Sequence, residues 1–119
     1  MNRDVGVLVT SYDGYADIWP IAAELFKRFW PDRPWPMYWM SNGAQVPSMA
    51  LPISLPEVHR TEWGHNVAVA VERIPEPSFL LWVEEILLLS PIPTEVFIEA
   101  AEIMRTHARI GIVSLSRYY

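Results

Sequence analysis

The run Phe79-Leu80-Leu81-Trp82-Val83-Glu84-Glu85-Ile86-Leu87-Leu88-Leu89 decides how the rest of the chain is read. An unbroken apolar stretch ends in two adjacent carboxylates, and the chain then turns apolar again. The run is too short to span a bilayer. It also lacks the alternation of a half-exposed strand, so it reads as a strand over about Phe79 to Glu84, buried on both faces at the centre of a parallel sheet. Acids at the carboxyl end of such a strand stand where open α/β sheets take their ligands.

Working outward, the neighbours of this strand supply the other layers. Val5 to Thr10 is β-branched and apolar and reads as a first strand, broken by the turn Ser11-Tyr12-Asp13-Gly14. A helix is predicted from about Asp17 to Trp30, with Asp17 as its cap and Ile21, Leu25 and Phe29, flanked by Ala22 and Phe26, as the buried stripe. Pro20 is tolerated in its first turn, and Pro31 stops it. Met37 to Met40 reads as a second strand closed by Ser41-Asn42-Gly43. Ala44 to Pro56 reads as loop, with a short edge strand around Ile53 to Leu55.

Thr61 is the expected cap of a second helix whose face is Trp63, Val67, Val71 and Ile74, ended by Pro75 and Pro77. Thr94 is the expected cap of a third helix reaching about His107, with Phe97, Ala100, Ala101 and Met104 inward. Arg105, His107 and Arg109 suit its carboxyl end. Ile110 to Leu115 reads as the last strand. Strands alternating with helices predict an α/β fold: a mostly parallel, Rossmann-like sheet of four to five strands with helices on both faces.

The bulk properties restrict function. A chain of 119 residues is one domain, 1–119, able to bury roughly two thirds of its unfolded surface. With 51% hydrophobic and 19% charged residues it is a packed chain and not a disordered one. A net charge of −5 and the lack of a basic stripe argue against nucleic acid as partner. No cysteine is present, which excludes disulfides, zinc–thiolate sites and thiol catalysis. No segment has the length of a membrane span or a signal-peptide core, so a cytoplasmic location is expected.

Three places could carry chemistry. Glu84 and Glu85 could hold a divalent cation or act as a base, provided the strand has ended before them, since neighbours on a strand face opposite ways. Alternatively, one is solvated and the other pairs with an arginine. Thr10, Ser11, Tyr12 and Asp13 could hold a nucleoside by stacking and ribose hydrogen bonds, or could form only a turn and helix cap. Trp63, ahead of Gly64, His65 and Asn66, could line a pocket at a helix start or be the first core residue of that helix. A Ser11/His65/Asp13 triad lacks the G-x-S-x-G context. The dinucleotide fingerprint and the P-loop are absent, and His59, His65 and His107 are too scattered for a metal cluster.

Thr10-Ser11-Tyr12-Asp13-Gly14-Tyr15-Ala16-Asp17-Ile18-Trp19-Pro20, then Phe29-Trp30-Pro31-Asp32, the Trp63 helix and Val71-Glu72-Arg73-Ile74-Pro75 before Phe79 together resemble the amino-terminal half of a bacterial GT-A-type glycosyltransferase. The resemblance covers nearly the whole chain. It implies a GT-A-like nucleotide-sugar-binding domain, with Glu84 and Glu85 at the place of the acidic motif that holds the diphosphate through manganese or magnesium. This chain has two glutamates followed by Ile86 there, and not an Asp-x-Asp pattern. The resemblance also implies that the acceptor-binding half lies beyond Tyr119, making this chain a donor half: a fragment, a degenerate copy or a subunit. The competing expectation is a non-catalytic α/β interaction module that forms a homodimer, covering the sheet edge and its apolar surface.

Overall fold

A computed structural model describes residues 2–56, 62–83 and 87–115. Four strands, β1 (Val5–Thr10), β2 (Met37–Ser41), β3 (Leu51–Ser54) and β4 (Ser78–Val83), form one sheet in the order β3-β2-β1-β4. Every pairing is parallel. The sheet is open and carries three helices, α1 (Trp19–Phe29), α2 (Trp63–Glu72) and α3 (Thr94–Thr106). The predicted α/β class and Rossmann-like parallel sheet are what the chain adopts.

Strand parity divides the core. Val7, Val9, Met37 and Trp39 project to one face, where Trp19, Ala22, Phe26 and Trp30 of α1 and its connector meet Phe97 of α3. Edge-to-face ring contacts knit this layer: Phe26 stands 5.2 Å from Trp82 and 6.4 Å from Trp39, and Trp30 stands 5.4 Å from Phe97. Such pairs add about 0.5–1.5 kcal/mol beyond the area they bury. On the opposite face Leu8, Tyr38, Met40 and Ile53 pack under Ala70 and Ile74 of α2 and its carboxyl end.

The strand expected at the centre lies at the edge. β1, buried at all six positions, takes the inner place, and β4 pairs with it through Val5↔Ser78 to Thr10↔Val83. Leu80 and Trp82 pack toward α1, but Phe79 and Leu81 remain 43% and 39% exposed. The cause is α2's position: it sits over β1 and β2, where Ile74 closes on Gly6, and does not reach across β4. An apolar run thus marks a strand without marking a central one.

The buried face of α1 is rotated from its predicted position, whereas Val67, Val71 and Ile74 of the α2 face and Phe97 and Ala100 of α3 pack inward as expected. In α1 the buried residues are Trp19, Ala22, Ala23 and Phe26, with Ile21 exposed and Leu25 and Phe29 only partly covered. Ile18, not Asp17, is the N-cap, because a 3-10 turn at Asp13–Tyr15 delays the helix. In α2 Asn66 and Ala70 are buried and Trp63 is exposed. Thr61 lies outside the described residues. Thr94 is not a cap: it opens α3 after Pro93, accepts a hydrogen bond from Trp30 Nε1 at 2.9 Å and donates to Asp32 at 2.9 Å. Phe97 and Ala100 are buried, with Ala101 and Met104 half-buried. His107 accepts the helix-end role expected of it, its backbone N–H bonding the Ile103 carbonyl.

Residues 110–115 form no strand and are largely exposed. The return from β4 runs on the α1 face, where Leu88 is buried and the Ile92 N–H bonds the Phe29 carbonyl. A parallel fifth strand outside β4, reached through that face, would need a left-handed crossover, which sheets avoid. The expected short edge strand does exist, two residues earlier than predicted, as β3.

One buried charge stabilises the α2 face. The Glu76 side chain is fully buried; Tyr38 donates to it at 2.9 Å, and Arg3, itself 64% exposed, pairs with it at 2.9 Å. Water screens the exposed Arg3 end of that pair, and Tyr38 supplies the buried hydrogen-bond donor that the carboxylate needs. Burial, and then the bond to Glu76, raise the Tyr38 pKa. A raised value preserves stability below the ordinary tyrosine pKa of about 10 and loses it as pH climbs through the folded value. Glu76→Gln is expected to lower stability by about 1–3 kcal/mol. Thermal unfolding followed from about pH 8 to about 12 should show a smaller alkaline decline in Tyr38→Phe than in the parent.

Candidate functional site

The order β3-β2-β1-β4 means that the chain builds away from β1 on one side and then returns to its other side. The strand order reverses between β1 and β4, and that is where a crevice forms at the carboxyl rim of an open parallel sheet. Thr10, the last residue of β1, stands opposite Val83, the last described residue of β4. Thr10 is buried, its hydroxyl donating to the Trp82 carbonyl at 3.4 Å and pinning the two strand ends together.

The loop after β1 is held firmly. Asn42 and Ala44 donate backbone N–H bonds to the two Asp13 oxygens at 2.8 and 3.1 Å. The Asp13 N–H in turn donates to the Asn42 side-chain oxygen at 3.0 Å. The Asn42 amide donates to the Leu55 carbonyl at 3.1 Å, and the Leu55 N–H bonds Ser41, so the rim above β1, β2 and β3 is one hydrogen-bonded unit. Gly43 sits at φ 136°, a backbone geometry that a side chain would strain, and so lets the chain turn back over Asp13.

Other residues of the loop are equally committed. Ser11 accepts a 2.8 Å hydrogen bond from Trp19 Nε1, which ties the loop to the start of α1. Tyr12 is half-buried, packs edge-to-face on Tyr15 at 4.8 Å and folds over Gly14, where a Cβ would stand 2.3 Å from its ring. Of the predicted site residues, the structure thus brings Thr10, Ser11, Tyr12 and Asp13 together at the rim. Trp63 lies at the amino end of α2 and is 49% exposed. Glu84 and Glu85 follow Val83 in the sequence and lie outside the described residues.

Asn42 is the rim residue that sequence reasoning missed. Its signal, the Asn-Gly pair closing the second strand, reads as a turn and carries no hint of a partner 29 residues earlier. Glu76 was hidden likewise, as one acid between two prolines. Among the described residues no three acidic or histidine side chains converge as metal ligands, and no helix is long and apolar enough to cross a membrane. Comparisons with family models, with curated proteins and with solved structures find no match to this chain.

The arrangement fixes the rim beside β1, with a half-buried aromatic and a run of loop backbone at its edge. Asp13→Ala would leave the Asn42 and Ala44 N–H groups without their acceptor. A loss of about 2 kcal/mol is expected, together with faster amide exchange at Asn42 and Ala44. Asp13→Asn, which keeps an acceptor oxygen, should lose less on both measurements.

Proposed function

We propose that the domain binds a nucleotide sugar at the crevice between β1 and β4 and serves as the donor-binding half of a sugar transferase. The observation that carries this reading is the reversal of strand order between β1 and β4, with Thr10 paired to Val83 beside a loop clamped by Asp13. The resemblance of the Thr10–Pro20 block and of the acidic pair after β4 supports the same reading.

Each residue then has a role. Asp13 positions the loop, its two oxygens being engaged by backbone N–H groups. Tyr12 offers a ring on which a base can stack. Thr10 and Ser11 fix the strand end and the helix start around it. Trp63, exposed at the start of α2 and so not a core residue, would line the pocket. Glu84 and Glu85 are hard oxygen donors suited to manganese or magnesium, whose chemistry is to neutralise the charge of a departing diphosphate. Transfer to an acceptor would rest on that electrostatic stabilisation.

UDP-, GDP- and dTDP-sugars titrated with and without manganese, followed by tryptophan fluorescence, test the proposal. Saturable, metal-dependent binding by one of them is expected, weakened at least about tenfold, or about 1.4 kcal/mol, in Glu84→Ala or Glu85→Ala. No response to any of the three, or equal binding by both variants, overturns it.

The second reading, an interaction module that pairs with another copy of itself, is favoured by one feature. The outer edge of β4 has no strand beside it among the described residues, and Phe79 and Leu81 lie exposed along it. Ser78–Val83 also contains neither proline nor a charged residue, the usual devices that keep an edge from pairing. If β4 pairs with β4 of a second copy, sedimentation will show a concentration-dependent dimer that Leu81→Lys converts to monomer with its thermal stability kept. A monomer at all concentrations removes this reading.

A further inference from the structure

Away from the crevice, a groove of about 410 Å³ runs between α1 and the segment from Gln45 to Met49. That volume lies within the range of small-molecule sites. Both walls descend from the carboxyl rim: α1 starts where Trp19 bonds Ser11, and the segment starts where Ala44 bonds Asp13. From Trp19 to Lys27 the helical wall is about 12 Å long at 1.5 Å per residue, which suits an elongated ligand. The floor is made of Trp19 and the small side chain of Ala23, both buried.

The polar groups along the groove set the ligand class. Glu24 and Lys27 are three residues apart, a spacing that puts them on one face of α1, and no ion pair joins them among the described residues. Gln45 and Ser48 stand on the opposite wall, exposed. Together the four offer an ammonium donor, a carboxylate acceptor, an amide with both functions and a hydroxyl, with net charge zero. A phosphate or other anion would meet Glu24, and a cation would meet Lys27. A neutral ligand dense in hydroxyls can use every one of these groups while its apolar ring face lies on Pro20, Val46 and Pro47, apolar lining that stays accessible. We infer that this groove is a second binding site, for a short neutral oligosaccharide, separate from the nucleotide-sugar crevice.

The test is a titration of the whole chain with maltotriose, cellotriose and chitotriose, following backbone amide shifts. The expected result is saturable movement of amides in 16–27 and 44–49 with at least one of the three, at a Kd of about 1 mM or tighter. Ser48→Trp, which fills the groove from an exposed position, should weaken that binding at least tenfold with thermal unfolding unchanged. Glu24→Lys, which makes the groove cationic, should weaken it as well. No groove shifts with any saccharide, shifts that persist in Ser48→Trp, or groove shifts produced by inorganic phosphate or a proline-rich peptide and by no saccharide, overturn the inference. Nucleotide-sugar binding measured on Ser48→Trp is expected to equal that of the parent, so failure at the crevice and failure at the groove are read separately.

Discussion

The fold depends on the burial of β1 on both faces. All six of its residues are inaccessible, between β2 and β4 in the plane of the sheet. A strand in that position needs a helical layer above and below, because a face left bare would set several apolar side chains in water at about 1.5–3 kcal/mol each. α1 and α3 cover the Val7 and Val9 side, and α2 covers the Leu8 side. Gly6 marks how close the second layer comes, since a Cβ there would stand 2.8 Å from Ile74. The rest of the molecule is arranged around keeping that strand dry.

The same constraint explains where the molecule is open. Packing over β1 and β2 is complete, and their loops are bound into one unit through Asp13, Asn42 and Leu55. Among the described residues β4 receives cover on one face only, through Leu80 and Trp82. Its other face, its outer edge and the rim beside it are what the two helical layers leave over. The proposed ligand site and the proposed pairing edge both draw on this asymmetry of β4. The aromatic contacts among Trp39, Phe26 and Trp82 make the α1 layer rigid, so the walls of the groove beside α1 rest on a fixed base.

Much of this was legible along the chain. The Val5–Thr10 strand, the Met37 strand, the inward Phe97 and Ala100 of α3 and the stops at proline all follow from local rules, since propensity and proline geometry act within a few residues. The rim loop was legible as a group of hydroxyl, aromatic and acid. Which of its atoms are committed was not, because the partner of Asp13 is on another strand and the partner of Ser11 is a tryptophan ring nitrogen. The buried stripe of α1 was misread by one position: the apolar residues nearly encircle that helix, so periodicity alone left several faces equivalent. Tertiary packing chose the Trp19, Ala22, Phe26 face, whose rings meet Trp39.

By itself the sequence determined the class of fold and the parallel alternation, because composition and period are local properties written residue by residue. Only the tertiary structure decided that β1 and not β4 is the inner strand, that Trp63 stands in solvent, and that 110–115 does not extend the sheet. Those outcomes turn on which face each crossover takes and how far α2 reaches. Crossover handedness and helix reach are properties of the whole assembled sheet, and no single stretch of residues encodes them.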